Sequence, residues 1–139
     1  MELQVYLLAL ANNVTGGSLV AVGFCALASQ TGTGQNTAVG DRTMKTLTTG
    51  VLNVGMGYTS LDANTSGSCN VGLGSSTLGA NTTGNNNIAI GYAALLRNTT
   101  ANCNIAIGYN SLASNLTGVA NVAVGDQALN KNTTDNNTA

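Results

Sequence analysis

The sequence predicts an all-β fold, a parallel β-solenoid (β-roll) of eight 17-residue coils, and three observations predict it. Glycine recurs at 23, 40, 57, 74, 91, 108 and 125, an unbroken spacing of 17, and self-similarity at a fixed period of this order marks a repeat architecture. Counting that glycine as position 1, position 5 is Leu or Met in every coil: Leu10, Leu27, Met44, Leu61, Leu78, Leu95, Leu112 and Leu129. Each coil also ends in a short alternating segment, clearest as Ile88-Ala89-Ile90 and Ile105-Ala106-Ile107, and a period of two is that of a β-strand.

The coils start near 6, 23, 40, 57, 74, 91, 108 and 125, with Tyr6 in the place of the first glycine, and residues 1–139 read as a single repeat domain. Ahead of the first coil, Leu3 and Val5 occupy strand positions, so a further strand is expected over 3–5. The last coil reads one residue short, because Asn137-Thr138-Ala139 matches Asn36-Thr37-Ala38 one place early. Two readings of the ends fit: a segment of a longer fibre, or a protomer that stacks head to tail into an open filament.

Within each strand segment, position 16 is small in every full coil: Ala21, Ala38, Gly55, Gly72, Ala89, Ala106 and Ala123. A face of small apolar residues is not an ordinary solvent face. This row is the candidate packing interface with a partner copy, and the alternative is that the same chain covers it. The same strand once per 17 residues stacks in parallel, one coil per ~4.8 Å.

The remainder of the coil is turn chemistry. Segments such as Asn81-Thr82-Thr83-Gly84 reverse a chain without strain, since Asn tolerates and Gly freely adopts the left-handed region. The segment after the glycine, as in Gly91-Tyr92-Ala93-Ala94-Leu95, fits either a second strand or one helical turn. Position 14 is Asn in six consecutive coils, Asn36, Asn53, Asn70, Asn87, Asn104 and Asn121. Either these amides stack as a ladder or Asn simply enters the strand from a turn.

Composition agrees with an ordered repeat. Charged residues make up 6% of the 139, hydrophobic residues 43%, and the net charge is -1, whereas disorder pairs low hydrophobicity with high net charge. Four Lys and Arg do not neutralise a run of phosphates, so no nucleic-acid partner is expected. No apolar run reaches the roughly 18 to 20 residues that span a bilayer, so no membrane insertion is expected. The stretch from Val5 to Ala11 keeps the repeat register, which argues against a signal peptide.

The pattern NxAIGY(x)AL followed by NTTG, as in the coils from Asn87 and Asn104, resembles the head repeats of trimeric autotransporter adhesins and the similar repeats of phage tail fibres. The resemblance covers nearly the whole chain. It implies a left-handed parallel β-roll, a homotrimer and a role in attachment. The adhesin coil is usually shorter, and the AL-containing segment is the insertion here.

Reactive chemistry is sparse. With no His and few carboxylates, no Ser or Thr has a base to activate it, so no enzyme, catalytic residue or cofactor is expected. The glycines lack the strand, loop and helix context of a phosphate loop. Asp41, Asp62, Asp126 and Asp135 are scattered rather than serial, and no metal site is expected. Cys69 and Cys103 share position 13 two coils apart, ~9.5 Å by strand spacing and beyond disulfide reach.

The glycosylation motif N-x-[ST] recurs at position 8, at Asn13, Asn64, Asn81, Asn98, Asn115 and Asn132. It reads either as a row of candidate glycosylation sites on one edge or as a favourable turn. The functional expectation is a structural subunit of an extracellular, cell-surface or virion-surface fibre with an adhesive role, with copies of itself as partner and a host-surface receptor or glycan as a second. The alternatives are a glycosylated head-to-tail filament and an ice-binding solenoid, the latter weakened because Thr at adjacent positions 9 and 10 points to opposite faces.

Overall fold

A computed structural model describes residues 8–15 and 17–139. Seven three-residue strands stack in one parallel sheet: β1 (Val20–Val22), β2 (Thr37–Val39), β3 (Val54–Met56), β4 (Val71–Leu73), β5 (Ile88–Ile90), β6 (Ile105–Ile107) and β7 (Val122–Val124). Every pair is in register at a step of 17, from Val20 opposite Thr37 to Ile105 opposite Val122. The fold is thus the parallel β-solenoid, with six complete steps between described strands rather than eight full coils. The strand expected over 3–5 and Tyr6 lie outside the described residues. After β7 the register slips by one, and Thr138 bridges Val122 at a step of 16, as the short last coil requires.

The segment after each glycine is neither strand nor helix. In the coil from 91, the Ala94 N–H donates to the Gly91 carbonyl at 3.3 Å and the Asn98 N–H to the Leu95 carbonyl at 3.1 Å, giving two consecutive tight turns. The first has its third residue at positive φ, 54° for Ala93, as a type II turn requires. Coils are tied here by backbone bonds as well: the Leu95 N–H donates to the Ser111 carbonyl at 3.0 Å.

Position 5 follows that turn and is itself left-handed, with φ of 55° at Leu61, 49° at Leu78, 51° at Leu95 and 49° at Leu112. These side chains are fully buried and form the spine of the core with Leu27, Met44 and the small residues of the strands. The conformation explains the choice of residue. A β-branched side chain is crowded in the left-handed region, so Leu and Met fill the spine and Val and Ile do not. The repeat glycine has a different reason. A Cβ on Gly57, at φ 132°, would lie 2.5 Å from the carbonyl oxygen of Gly74 in the next coil.

Candidate functional site

The small residues at position 16 point into the coil. Ala38, Ala89, Ala106 and Ala123 are fully buried in the single chain, Gly55 and Gly72 are buried beside them, and Ala21 is partly covered at the end of the row. The expected packing interface is therefore core, which corrects the sequence expectation. The interior between the sheet and the Leu spine is narrow, and only Ala or Gly fits there. A Cβ on Gly72 would sit 2.5 Å from Ser60 Oγ and 2.8 Å from Thr77 Oγ1.

The asparagines at position 8 also turn inward. Asn64, Asn81, Asn98 and Asn115 are fully buried. The Asn81 amide nitrogen donates to Asn64 Oδ1 at 3.2 Å and to the Gly84 carbonyl at 3.1 Å, and Asn98 repeats the pattern on Asn81 at 2.9 Å and Ala101 at 3.0 Å. At these four positions the nitrogen that would carry a glycan is committed to the core of the folded chain. Asn13 and Asn132 are half-buried at the ends of the row. Asn132 folds back on its own loop, donating to the Thr134 carbonyl at 2.9 Å, and Asn115 Oδ1 is left buried without a partner.

Position 14 carries the second, longer ladder. Asn53 Oδ1 accepts from the backbone N–H of Asn70 at 2.9 Å and from its side-chain amide at 3.2 Å. Asn53 Nδ2 donates to Asn36 Oδ1 at 3.1 Å and to the Gly67 carbonyl at 2.9 Å. All four hydrogen-bonding places of the amide are thereby filled. Asn64 Nδ2 donates to the same Gly67 carbonyl at 2.9 Å, so the two ladders meet at position 11.

With the small residues inside, the large ones face out. No residue at positions 15 or 17 is buried in any strand. Val22, Met56, Ile107 and Val124 are among the exposed large hydrophobics, Val22 at 57% and Val124 at 58%. These two columns run along all seven strands, over ~30 Å at the usual strand spacing. Next to them in position 13, Leu52, Cys69 and Cys103 are exposed, and both cysteines are free thiols.

Beyond the corner glycine, position 2 carries a half-exposed aromatic column of Tyr58, Tyr92 and Tyr109. Tyr92 and Tyr109 stack with centroids 5.5 Å apart and planes 15° from parallel. On the turn side, Thr48, Thr65, Thr82 and Thr99 donate their hydroxyls to carbonyls of the next coil, and exposed Thr49, Thr83, Thr100 and Thr117 lie alongside them.

The chain matches no protein-family model, no curated protein and no solved structure.

Among the described residues no group of three His, Cys, Asp or Glu could hold a metal ion, and no helix is long and apolar enough to cross a membrane. A hollow of about 340 Å³ is lined by Gly17, Ser18, Thr33, Gly34, Gln35 and Val51, none of them ionisable. Four of the nine charged residues, Asp41, Arg42, Lys45 and Asp62, lie near one another instead. Burial pushes the Asp62 carboxyl above its ordinary range, partly offset by Lys45 and Arg42.

Proposed function

We propose that the chain is a structural, non-catalytic segment of an extracellular or virion-surface fibre, associating side by side with copies of itself through the aliphatic face of its sheet and serving attachment. The observation that carries this reading is the pair of columns at positions 15 and 17. An apolar patch along seven strands, interrupted only by Thr37, exceeds the scattered exposed hydrophobics of a monomer and marks an interaction surface. Its occupant is a second copy, because only another rod of this kind presents an equally long, flat and uncharged face with the same ~4.8 Å repeat. The likeness of the repeats to those of adhesin heads and tail fibres supports three copies about one axis. With position 16 buried, this reading puts the contact on the large residues rather than on the small ones.

Sedimentation equilibrium of the purified chain tests this. The expected mass is three times that of the chain, falling to the monomer in Ile107→Lys with the far-ultraviolet circular dichroism unchanged. A wild-type chain that stays monomeric at high micromolar concentration, or an Ile107→Lys variant that still assembles, sinks the proposal.

A further inference from the structure

The aromatic column at position 2 has a missing rung. Tyr58, Ser75, Tyr92 and Tyr109 occupy that position in four successive coils. The last two stack at 5.5 Å, while Ser75 stands between Tyr58 and Tyr92. These two tyrosines are two coils apart, ~9.5 Å by the strand spacing, which is the separation of aromatic walls that hold one ring between them with each stacked pair inside the 4.5–7 Å range.

The neighbouring groups determine what kind of ring fits. Column 3 beside the gap carries Thr59, Ser76, Ala93 and Asn110, and Thr59 Oγ1 and Ser76 Oγ lie 3.2 Å apart as a hydroxyl pair. No charged residue stands in columns 2 and 3 from Tyr58 to Asn110; the nearest ones along these columns are Asp41 and Arg42 on one side and Asp126 on the other. The nearest cation, Arg42, stands one rung beyond Thr59 and is paired with Asp41 at 3.9 Å, so it gives phosphorylated or acidic ligands no dedicated counter-charge. A pyranose ring has the matching chemistry, with C–H faces that stack on aromatic rings and an edge of hydroxyls that pairs with neutral hydroxyls and amides.

We propose that the gap at Ser75, between Tyr58 and Tyr92, binds one ring of a neutral saccharide, with the Thr59–Ser76 pair, whose own protons go to the Tyr58 carbonyl and to each other, accepting from its hydroxyl edge. This rests on the attachment reading and names the ligand class. The column lies past the corner glycine from the aliphatic face, so one rod can associate through one face and bind along the other.

The test uses the full assembled chain and uncharged tetrasaccharides of β-1,4-linked glucose, β-1,4-linked N-acetylglucosamine and α-1,4-linked glucose, followed by saturation-transfer NMR and calorimetry. At least one is expected to bind, with saturation passing from the tyrosine rings to its C–H protons. Ser75→Tyr, which fills the rung with the residue found at 92 and 109, and Tyr92→Ser, which removes a wall, are each expected to weaken binding about ten-fold, the order of one stacked pair. Thr83→Ala, on the turn side, is expected to leave it unchanged. No binding of any probe at millimolar concentration, or full binding by both Ser75→Tyr and Tyr92→Ser, overturns the proposal. So does a change of oligomer mass in Ser75→Tyr, which assigns the gap to a second copy. Assembly is read separately by sedimentation, so loss of saccharide binding with an intact oligomer removes this inference alone.

Discussion

Asn87 reaches Asn70 twice: its backbone N–H and its side-chain amide both donate to Asn70 Oδ1, at 3.0 and 3.2 Å. One side-chain oxygen thus stands in for a backbone acceptor and links two coils at the same time. Asn87→Ala would orphan the backbone N–H and one side-chain amide hydrogen of Asn104, whose other amide hydrogen stays on the Gly118 carbonyl, together with one acceptor place on the Ala101 carbonyl. Buried groups left unpaired cost about 1–3 kcal/mol each, so a loss of about 3 kcal/mol or more is expected in urea unfolding. Asn86→Ala is the control, since Asn86 is exposed and Ala120 occupies the same left-handed position; its expected cost is below about 1 kcal/mol.

Position 16 is Gly only where both flanking position-4 side chains carry a hydroxyl. Gly72 lies against Ser60 and Thr77, whereas Ala89 follows Thr77 and precedes Ala94. Gly72→Ala overpacks this site and should cost about 1–3 kcal/mol. The double variant Gly72→Ala, Thr77→Ala recreates the surroundings of Ala123, which follows Ser111 and precedes Ala128, and should cost less than the sum of the two single changes. Strict additivity in the double-mutant cycle would show that the two sites do not share space.

Leu95 is buried at φ 51°. Leu95→Met, with Met44 as precedent at φ 51°, is expected to cost below about 1.5 kcal/mol. Leu95→Val loses a methylene and places a β-branched residue in the left-handed region, for an expected loss of about 2 kcal/mol or more. Thermal melts of the two variants should differ in that order, and equal melting points would remove the conformational explanation for the Leu spine.

Burial raises the Asp62 carboxyl above its ordinary value of 3.8, with Lys45 and Arg42 pulling the other way. A carboxyl whose folded pKa is raised stabilises the fold fully below its unfolded pKa, and that contribution is lost as pH rises through the folded pKa. Asp62→Asn should therefore be more stable than the wild type at neutral pH, with the advantage shrinking as pH falls toward the ordinary carboxylate range. Urea midpoints of both proteins between acid and neutral pH measure this, and parallel profiles would contradict it.

The period, the strands and the Asn ladder were legible because each follows from position alone: a 17-residue step puts identical residues directly above one another. Which face turned inward was not. In an ordinary half-buried strand the large residue marks the core, yet here Ala89 is inside and Ile88 and Ile90 are partly exposed. Leu78, Leu95 and Leu112 already fill the space opposite the sheet, and their inward direction comes from a left-handed backbone that no hydrophobic pattern reveals. For the same reason Asn98, which reads as a surface turn and a glycan acceptor, is a core residue. The signal was present in its alignment with Asn81 and Asn115, the same pattern that raised a ladder as one of two readings at position 14.

The bonds that join one coil to the next run along the length of the rod. A pull on the two ends therefore loads them head-on, and they open layer by layer, as a zipper does, rather than all together in shear. Each layer that lets go frees 17 residues, at most ~60 Å of extended chain. A lone rod is then a soft spring with many small steps, and bundling copies side by side is what would let it bear tension.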